Sequence, residues 1–477
     1  MNQQLEPQPP ILTLPAELLA QIVSLVSTRS RNDGPTVFEI IQLMQVSRQF
    51  YNVLRASPTL WTRVDFSLTL PASVPTLLNG MTRAVTLSDD LPLSFRLFLS
   101  HSPTSHETRL ILAKLFSTGS RWGELYFHFH GHLNLNLAQV WITELERMRR
   151  DAGGISPFTN VQQVTLAHPG FNYNTLPRRT EAYNAALWPL AQLFPSSRKL
   201  ELKRMEFECG FSLPAQLSIP TLEFLTLDFG CLHNVSPAVV RDILAGAPAL
   251  KFLHLCARHV TYHESPPPVN LPPHISLETL VLRLFLPIIC EQLQALNCPS
   301  LAHLHIIHNP AIPLNGSSAP DDFVEAILAM VNQSGCRLKS LDLRRIDLSN
   351  DHFVRLFAGL PYLEKVYLTL RAAGGVDENL FERLLERSTN DTILPRLKSF
   401  EVVTDEGYTF LTQPFIDFVR DPQRLATGYL LMFFNTRCCP SATGMWHTVC
   451  PRLSRASELS LDRLLRPQIL VLFYVPP

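Results

Sequence analysis

The sequence predicts an α/β chain in which a small helical module precedes a right-handed solenoid of short parallel strands with irregular repeats. Three observations predict it. Apolar residues crowd positions 12 to 64, a leucine phrase recurs seven times behind that block, and the spacers between copies carry helix start and stop signals.

The elements follow in order. Met1 to Pro10 is polar and proline-rich, so residues 1–10 are expected to form a disordered tail and not a secretory signal. Pro15 stands where a helix begins, and Glu17 lies in its first turn, where the macrodipole favours a negative charge. Leu18, Leu19, Ile22, Val23, Leu25 and Val26 then recur at helical spacing. A second run, Phe38, Ile40, Ile41, Leu43, Met44 and Val46, continues through Phe50, Val53 and Leu54 as one or two further helices. Between the two runs, Thr28 to Thr36 reads as an insertion. So many apolar positions in roughly fifty residues exceed what a module of that size buries within itself, and the excess surface calls for a partner. A three-helix cap sealing the end of the larger domain is the alternative.

Leu14-Pro15 with Glu17, the segment Val46-Ser47-Arg48-Gln49-Phe50, and Leu60-Trp61 occur in the order found in F-boxes. The block over residues 12 to 64 therefore resembles an F-box, the adaptor-docking module of ubiquitin ligases, with Phe50 standing where that family often has Trp. The resemblance implies that Leu14, Pro15, Glu17, Ile22, Val46, Phe50 and Trp61 are adaptor-binding positions, as contacts or as the core that holds the contacts in place.

Behind it, the phrase Pro-x-Leu-x-x-Leu-x-Leu recurs with variations at Pro220 to Leu227, Pro248 to Leu255, Leu277 to Leu282, Pro299 to Ile306, Leu338 to Leu343, Pro361 to Leu368 and Pro395 to Val402. Degenerate copies precede these at Trp122 to Phe127, Val161 to Leu166 and Pro195 to Leu202. Steps of 24 to 39 residues between final apolar positions match leucine-rich repeats with irregular insertions. In each copy alternation sends Leu225 and Leu227, for example, into the core while Phe224, Thr226 and Asp228 face the other way. The spacers supply returning helices: Ser236-Pro237 opens one that Gly246 and Pro248 stop, and others run from Pro320 to Val331 and from Ser349 to Gly359. Residues 67 to 194 read as a much less regular first part. Past Val402 the pattern frays into a helix at Pro414 to Val419, strands at Tyr429 to Phe434 and Ile469 to Val475, and an irregular stretch holding Cys438, Cys439, Trp446, His447 and Cys450.

Function is expected on the inner face of the strands, where neighbouring copies align their alternate side chains in rows. Phe224, Phe252, His254, Arg283, His305, Arg344 and Tyr367 are the candidate substrate-binding residues, aromatics beside arginines being the usual hot-spot chemistry of a protein partner. Coverage of these aromatics by a loop or by the C-terminal segment is the alternative. His303 and His305 share a strand face, but three or four converging ligands are not in view, so no metal site is expected. The run Phe127-His128-Phe129-His130-Gly131-His132 reads as an alternating strand.

Composition excludes several classes. The 477 residues carry 41 basic and 41 acidic side chains, a balance that draws in neither nucleic acid nor an anionic membrane surface. No apolar run reaches the length of a membrane span. The 9 cysteines, scattered from Cys209 to Cys450 without a Cys-x-x-Cys pair, read as small buried residues in a reducing compartment. Phosphate-cradling loops, a Gly-x-Ser-x-Gly elbow and His-Glu-x-x-His are all missing, so neither an enzyme nor a cofactor is expected.

The resulting expectation comprises an F-box at residues 11–66, an irregular first repeat segment at 67–194, leucine-rich repeats at 195–404 and a C-terminal repeat or cap at 405–477. Its resemblance to F-box proteins with leucine-rich repeats implies an intracellular, cytoplasmic or nuclear substrate receptor. Such a receptor binds a Skp-type adaptor, and through it a cullin, while the solenoid holds a protein substrate. A protein-interaction scaffold that does not lead to ubiquitination is the alternative.

Overall fold

The computed structural model describes residues 14–26, 36–68, 73–99, 104–129, 135–167, 188–205, 219–232, 237–260, 272–308, 320–370, 380–386, 393–404, 430–436 and 469–474. The chain divides into two compact units, Met1–Gly230 and Cys231–Pro477.

The first unit opens with three short helices, α1 (Ala16–Val26), α2 (Val37–Leu43) and α3 (Arg48–Arg55), and a 3₁₀ turn at Pro58–Trp61. Side chains start two of them. Thr36 and Glu39 form a reciprocal capping box on α2, and the Ser47 hydroxyl accepts from the Phe50 amide to cap α3. Strands β1 (Arg63–Leu68), β2 (Leu93–Leu99), β3 (Trp122–Phe129), β4 (Gln163–Ala167), β5 (Lys199–Met205) and β6 (Phe224–Leu232) follow, each paired in parallel with the next. Helices α4 (Val74–Leu87), α5 (Ser105–Ser117), α6 (Leu135–Asp151) and α7 (Trp188–Leu193) connect them, and successive helices touch one another.

The second unit continues the alternation with α8 (Pro237–Gly246), β7 (Phe252–Val260), β8 (Thr279–Arg283), α9 (Leu286–Ala295), β9 (His303–Ile307) and α10 (Pro320–Ser334). After these come β10 (Ser340–Arg344), α11 (Asn350–Ala358), β11 (Lys365–Leu370), α12 (Leu380–Glu386), β12 (Ser399–Thr404), β13 (Leu430–Thr436) and β14 (Ile469–Tyr474). From β7 to β14 every strand pairs in parallel with its sequence neighbour. Helix, parallel strand and short turn in strict succession are compatible with a solenoid.

Register is set just before each strand. One backbone carbonyl per repeat accepts two amides from the next repeat: Lys251 from Glu278 and Thr279, Glu278 from Ala302 and His303, Ala302 from Lys339 and Ser340, Lys339 from Glu364 and Lys365, Glu364 from Lys398 and Ser399. The first unit uses the same device at Gln162 and Arg198. Upstream, a turn closed by a bond from Leu250 to Ala247, Leu301 to Cys298, Leu363 to Leu360 or Leu397 to Leu394 holds the proline of the repeated phrase at its bend.

With register fixed, the apolar residues form columns. Val64, Phe95, Leu125, Val164, Leu200 and Leu225 lie opposite one another in the first unit, and Leu253, Leu280, Leu304, Leu341, Val366 and Phe400 in the second, all buried. Burying one such side chain is worth about 1.5–3 kcal/mol, and only stacking of neighbours achieves it. Alternate residues on the other, open face stay half-exposed, as the burial pattern of β2 and β8 records.

Two features differ from the sequence reading. Among the described residues of 67–194, β2, β3 and β4 alternate with α4, α5 and α6. Strand β1 follows directly on the Trp61 turn and pairs with β2, so the N-terminal block runs straight into the sheet without a linker. The tail, most of the insertion at 28–36, His130 to His132, the helix at 414–419 and Cys438, Cys439, Trp446, His447 and Cys450 lie outside the described residues.

A close contact joins the N-terminal helices to the sheet. Phe38 of α2 packs on Phe66 of β1 with ring centroids 4.7 Å apart, and a Cβ built at Gly80 of α4 would meet the Phe38 ring at 2.5 Å. Gly80→Leu is expected to lower the unfolding free energy by about 1–3 kcal/mol, because Phe66 blocks retreat of the ring. Phe38→Ala in the same background should cost less than the sum of the two single changes, whereas strict additivity in urea denaturation would contradict the contact.

Candidate functional site

At the N-terminal end, α1 turns Leu19 and Val23 inward, where they join Val37, Ile40, Phe50, Leu54, Leu60 and Trp61 in a small core. Trp61 is fully buried and its indole Nε1 donates to the Leu54 carbonyl at 2.7 Å, which ties the turn to the end of α3. What remains outside is unusually apolar. Leu18, Leu25, Val46 and Tyr51 are 45%, 71%, 63% and 42% exposed, four of the nine large hydrophobic side chains exposed among the described residues. Such a concentration on one small block marks an interaction surface.

The residues expected to bind an adaptor divide accordingly. Pro15, Glu17 and Val46 are exposed, Leu14 and Ile22 are half-buried, and Gln49 Nε2 donates to the Leu14 carbonyl at 3.3 Å. Phe50 and Trp61 belong to the core and act by holding the helices together. Leu18, Leu25 and Tyr51 were not singled out from the sequence, although the apolar run of α1 is wider than one buried face requires.

On the open face of the second unit, side chains align in rows that strand register dictates. Phe252, Thr279, His303, Ser340, Lys365 and Ser399 form the first; His254, Val281, His305, Asp342, Tyr367 and Glu401 form the second. Cys256 lies opposite Arg283, and Ile307 opposite Arg344, beyond them. Of the seven residues expected to bind a substrate, six therefore occupy this face, and Phe224 sits on the open face of the first unit.

Asp342 organises the centre. Its carboxylate, 5% exposed, accepts from His305 Nδ1 at 3.1 Å and from Arg344 Nε at 2.9 Å and Nη2 at 2.7 Å. The Arg344 guanidinium in turn lies over the Tyr367 ring, 4.3 Å from its centroid. Each group fixes the next. The sequence placed Asp342 in the row without a role, because the bond that ties it to the neighbouring strand joins residues 37 apart in sequence.

Charge follows from these contacts. Burial pushes the Asp342 carboxyl up, but the hydrogen bonds from His305 and Arg344 outweigh it and hold the group below its ordinary range. Burial raises Glu401, with Arg344 opposing. His303 is held down by burial and by the neighbouring charges of His305, Lys365 and Lys339. Cys256, Cys290, Cys298 and Cys336 are buried, and burial pushes the thiol of Cys298 up to about 12 and that of Cys336 to about 11, the behaviour of inert core thiols. Among the described residues no group of His, Cys, Asp and Glu side chains is arranged to hold a metal, and no helix is long and apolar enough to cross a membrane.

Residues 11–67 match the family model described as F-box-like. No curated protein matches the chain. A Bacteroides fragilis protein of known crystal structure is similar over 60% of this chain and 70% of its own, at 12% identity and a TM-score of 0.35.

A carboxyl held below its unfolded value adds stability above about pH 4, which is lost as pH falls through the folded value. Asp342→Asn is thus expected to destabilise the fold by about 2 kcal/mol at neutral pH. Denaturation midpoints of the two proteins should converge on acidification below about pH 4, and a gap that does not change with pH would contradict the ion-paired hub.

Proposed function

We propose that this chain is the substrate-recognition subunit of a Skp-cullin-F-box ubiquitin ligase. Its N-terminal block docks on a Skp-type adaptor, the adaptor joins a cullin, and the open face of a right-handed leucine-rich-repeat solenoid holds the protein to be modified. The observation that carries the reading is the coincidence, in one block, of the F-box-like match at residues 11–67 with the exposed Leu18, Leu25, Val46 and Tyr51. The chain itself performs no chemistry in this scheme. It raises the effective concentration of a target lysine near a charged ubiquitin carrier supplied by other subunits, inside the cell.

The contact surface in this reading is formed by Pro15, Glu17, Leu18 and Val46, with Trp61 beneath as its support. Adaptor pull-down with the full chain tests it. Leu18→Glu with Val46→Glu changes exposed positions only, so the variant is expected to keep its circular dichroism spectrum and to lose at least about tenfold in adaptor affinity, because docking would bury two unpaired charges. Trp61→Ala should instead unfold the block, at about 3–5 kcal/mol. Full adaptor binding by the double variant, or none by the intact chain, would overturn the proposal and leave the block as a cap on the sheet.

A further inference from the structure

We propose that the open face of β8 to β11 binds an acidic peptide segment of its protein target, with carboxylates of the segment meeting Arg283, Arg344 and Lys365. This rests on the reading of that face as the capture surface and adds the class of target. The open face of β8 to β11 carries three permanent cations, Arg283, Arg344 and Lys365, against one carboxylate, Asp342, in a chain whose formal charges cancel overall. Arg283 and Lys365 form no ion pair among the described residues, so neither is neutralised by its own fold. Asp342 is committed to His305 and Arg344 and sits 5% exposed, so little of its charge faces outward. Glu401 lies beyond this face, on β12 opposite Tyr367.

Burial first, and then His305, Lys365 and Lys339, push the His303 imidazole down, with Glu278 opposing. An anion is the complementary partner. A continuous phosphate backbone fits less well than a peptide, because Asp342 lies in the row between Lys365 and the two arginines, while Tyr367 beside Arg344, and Phe252 on the adjoining β7, offer apolar contact. Three strand spacings separate β8 from β11, about 14 Å, which four or five extended residues span. A segment with two acidic residues at such a separation would reach both ends of the face.

The test is selection of a displayed library of random short peptides on the folded full chain. Selection is repeated on an Arg283→Gln, Lys365→Gln variant and on a Phe252→Ala, Tyr367→Ala variant, with circular dichroism as the check on folding. The expected result is selected peptides enriched in Asp and Glu that bind at least about tenfold more weakly to the charge variant and weaken with added salt. Peptides without acidic enrichment that still depend on Phe252 and Tyr367 would overturn the acidic class while sustaining the face as a binding surface. Peptides indifferent to both variants, or no selected peptides at all, would overturn both readings. A duplex oligonucleotide that binds the chain and loses affinity in the charge variant would reassign the face to nucleic acid.

Discussion

One backbone carbonyl per repeat, accepting two amides from the next repeat just ahead of its strand, is the constraint on which everything else depends. A slip of one residue in a strand exchanges its buried and exposed faces, so register must be fixed before side chains can be sorted. The paired acceptor fixes it with groups present in every repeat whatever the side chain. That independence explains how Lys251, Glu278, Ala302, Lys339 and Glu364, chemically unrelated, occupy the same place. It also frees the helical returns to vary in length without disturbing the leucine columns.

The same device builds the open face. Because rows are aligned strand to strand, Asp342 can reach His305 on one neighbour while its own-strand neighbour Arg344 stacks on Tyr367 of the other. The guanidinium is held in its plane by the carboxylate and on its face by the ring, so it loses little freedom on binding a partner. The N-terminal block works by a different principle. Its core is small, Trp61 and Leu54 close it, and the apolar side chains that do not fit inside are left on the outside.

How much of this was legible depended on whether a signal was local. The repeated phrase, degenerate in β3 to β5, located β3 to β12, because apolar residues at fixed offsets, in several copies behind a proline at the turn, mark each strand in its own sequence. Strands β1 and β2 escaped, since Pro58-Thr59-Leu60 reads as the close of the N-terminal block and stands one residue out of register with Val64, and Pro92 directly abuts Leu93 without the phrase's spacing. His274 is a similar case. It fills the buried turn position held elsewhere by Ala247, Cys298 and Leu360, with its Nε2 donating to the Ala247 carbonyl at 3.1 Å, and nothing in a single histidine announces that. Among the site residues, the rows could be derived from alternation, whereas the hub at Asp342 and the burial of Phe50 and Trp61 depend on which strands and helices become neighbours.

The central claim is that two separate surfaces divide the work: an apolar one on the N-terminal helices for an adaptor, and a polar and aromatic one on β8 to β11 for a target. Hydrogen exchange of the full chain with and without a Skp-type adaptor tests that division most directly. The account predicts slowed exchange in α1, α2 and α3 and unchanged exchange in β8 to β11. Protection of β8 to β11 by the adaptor, with the N-terminal helices unaffected, would contradict it.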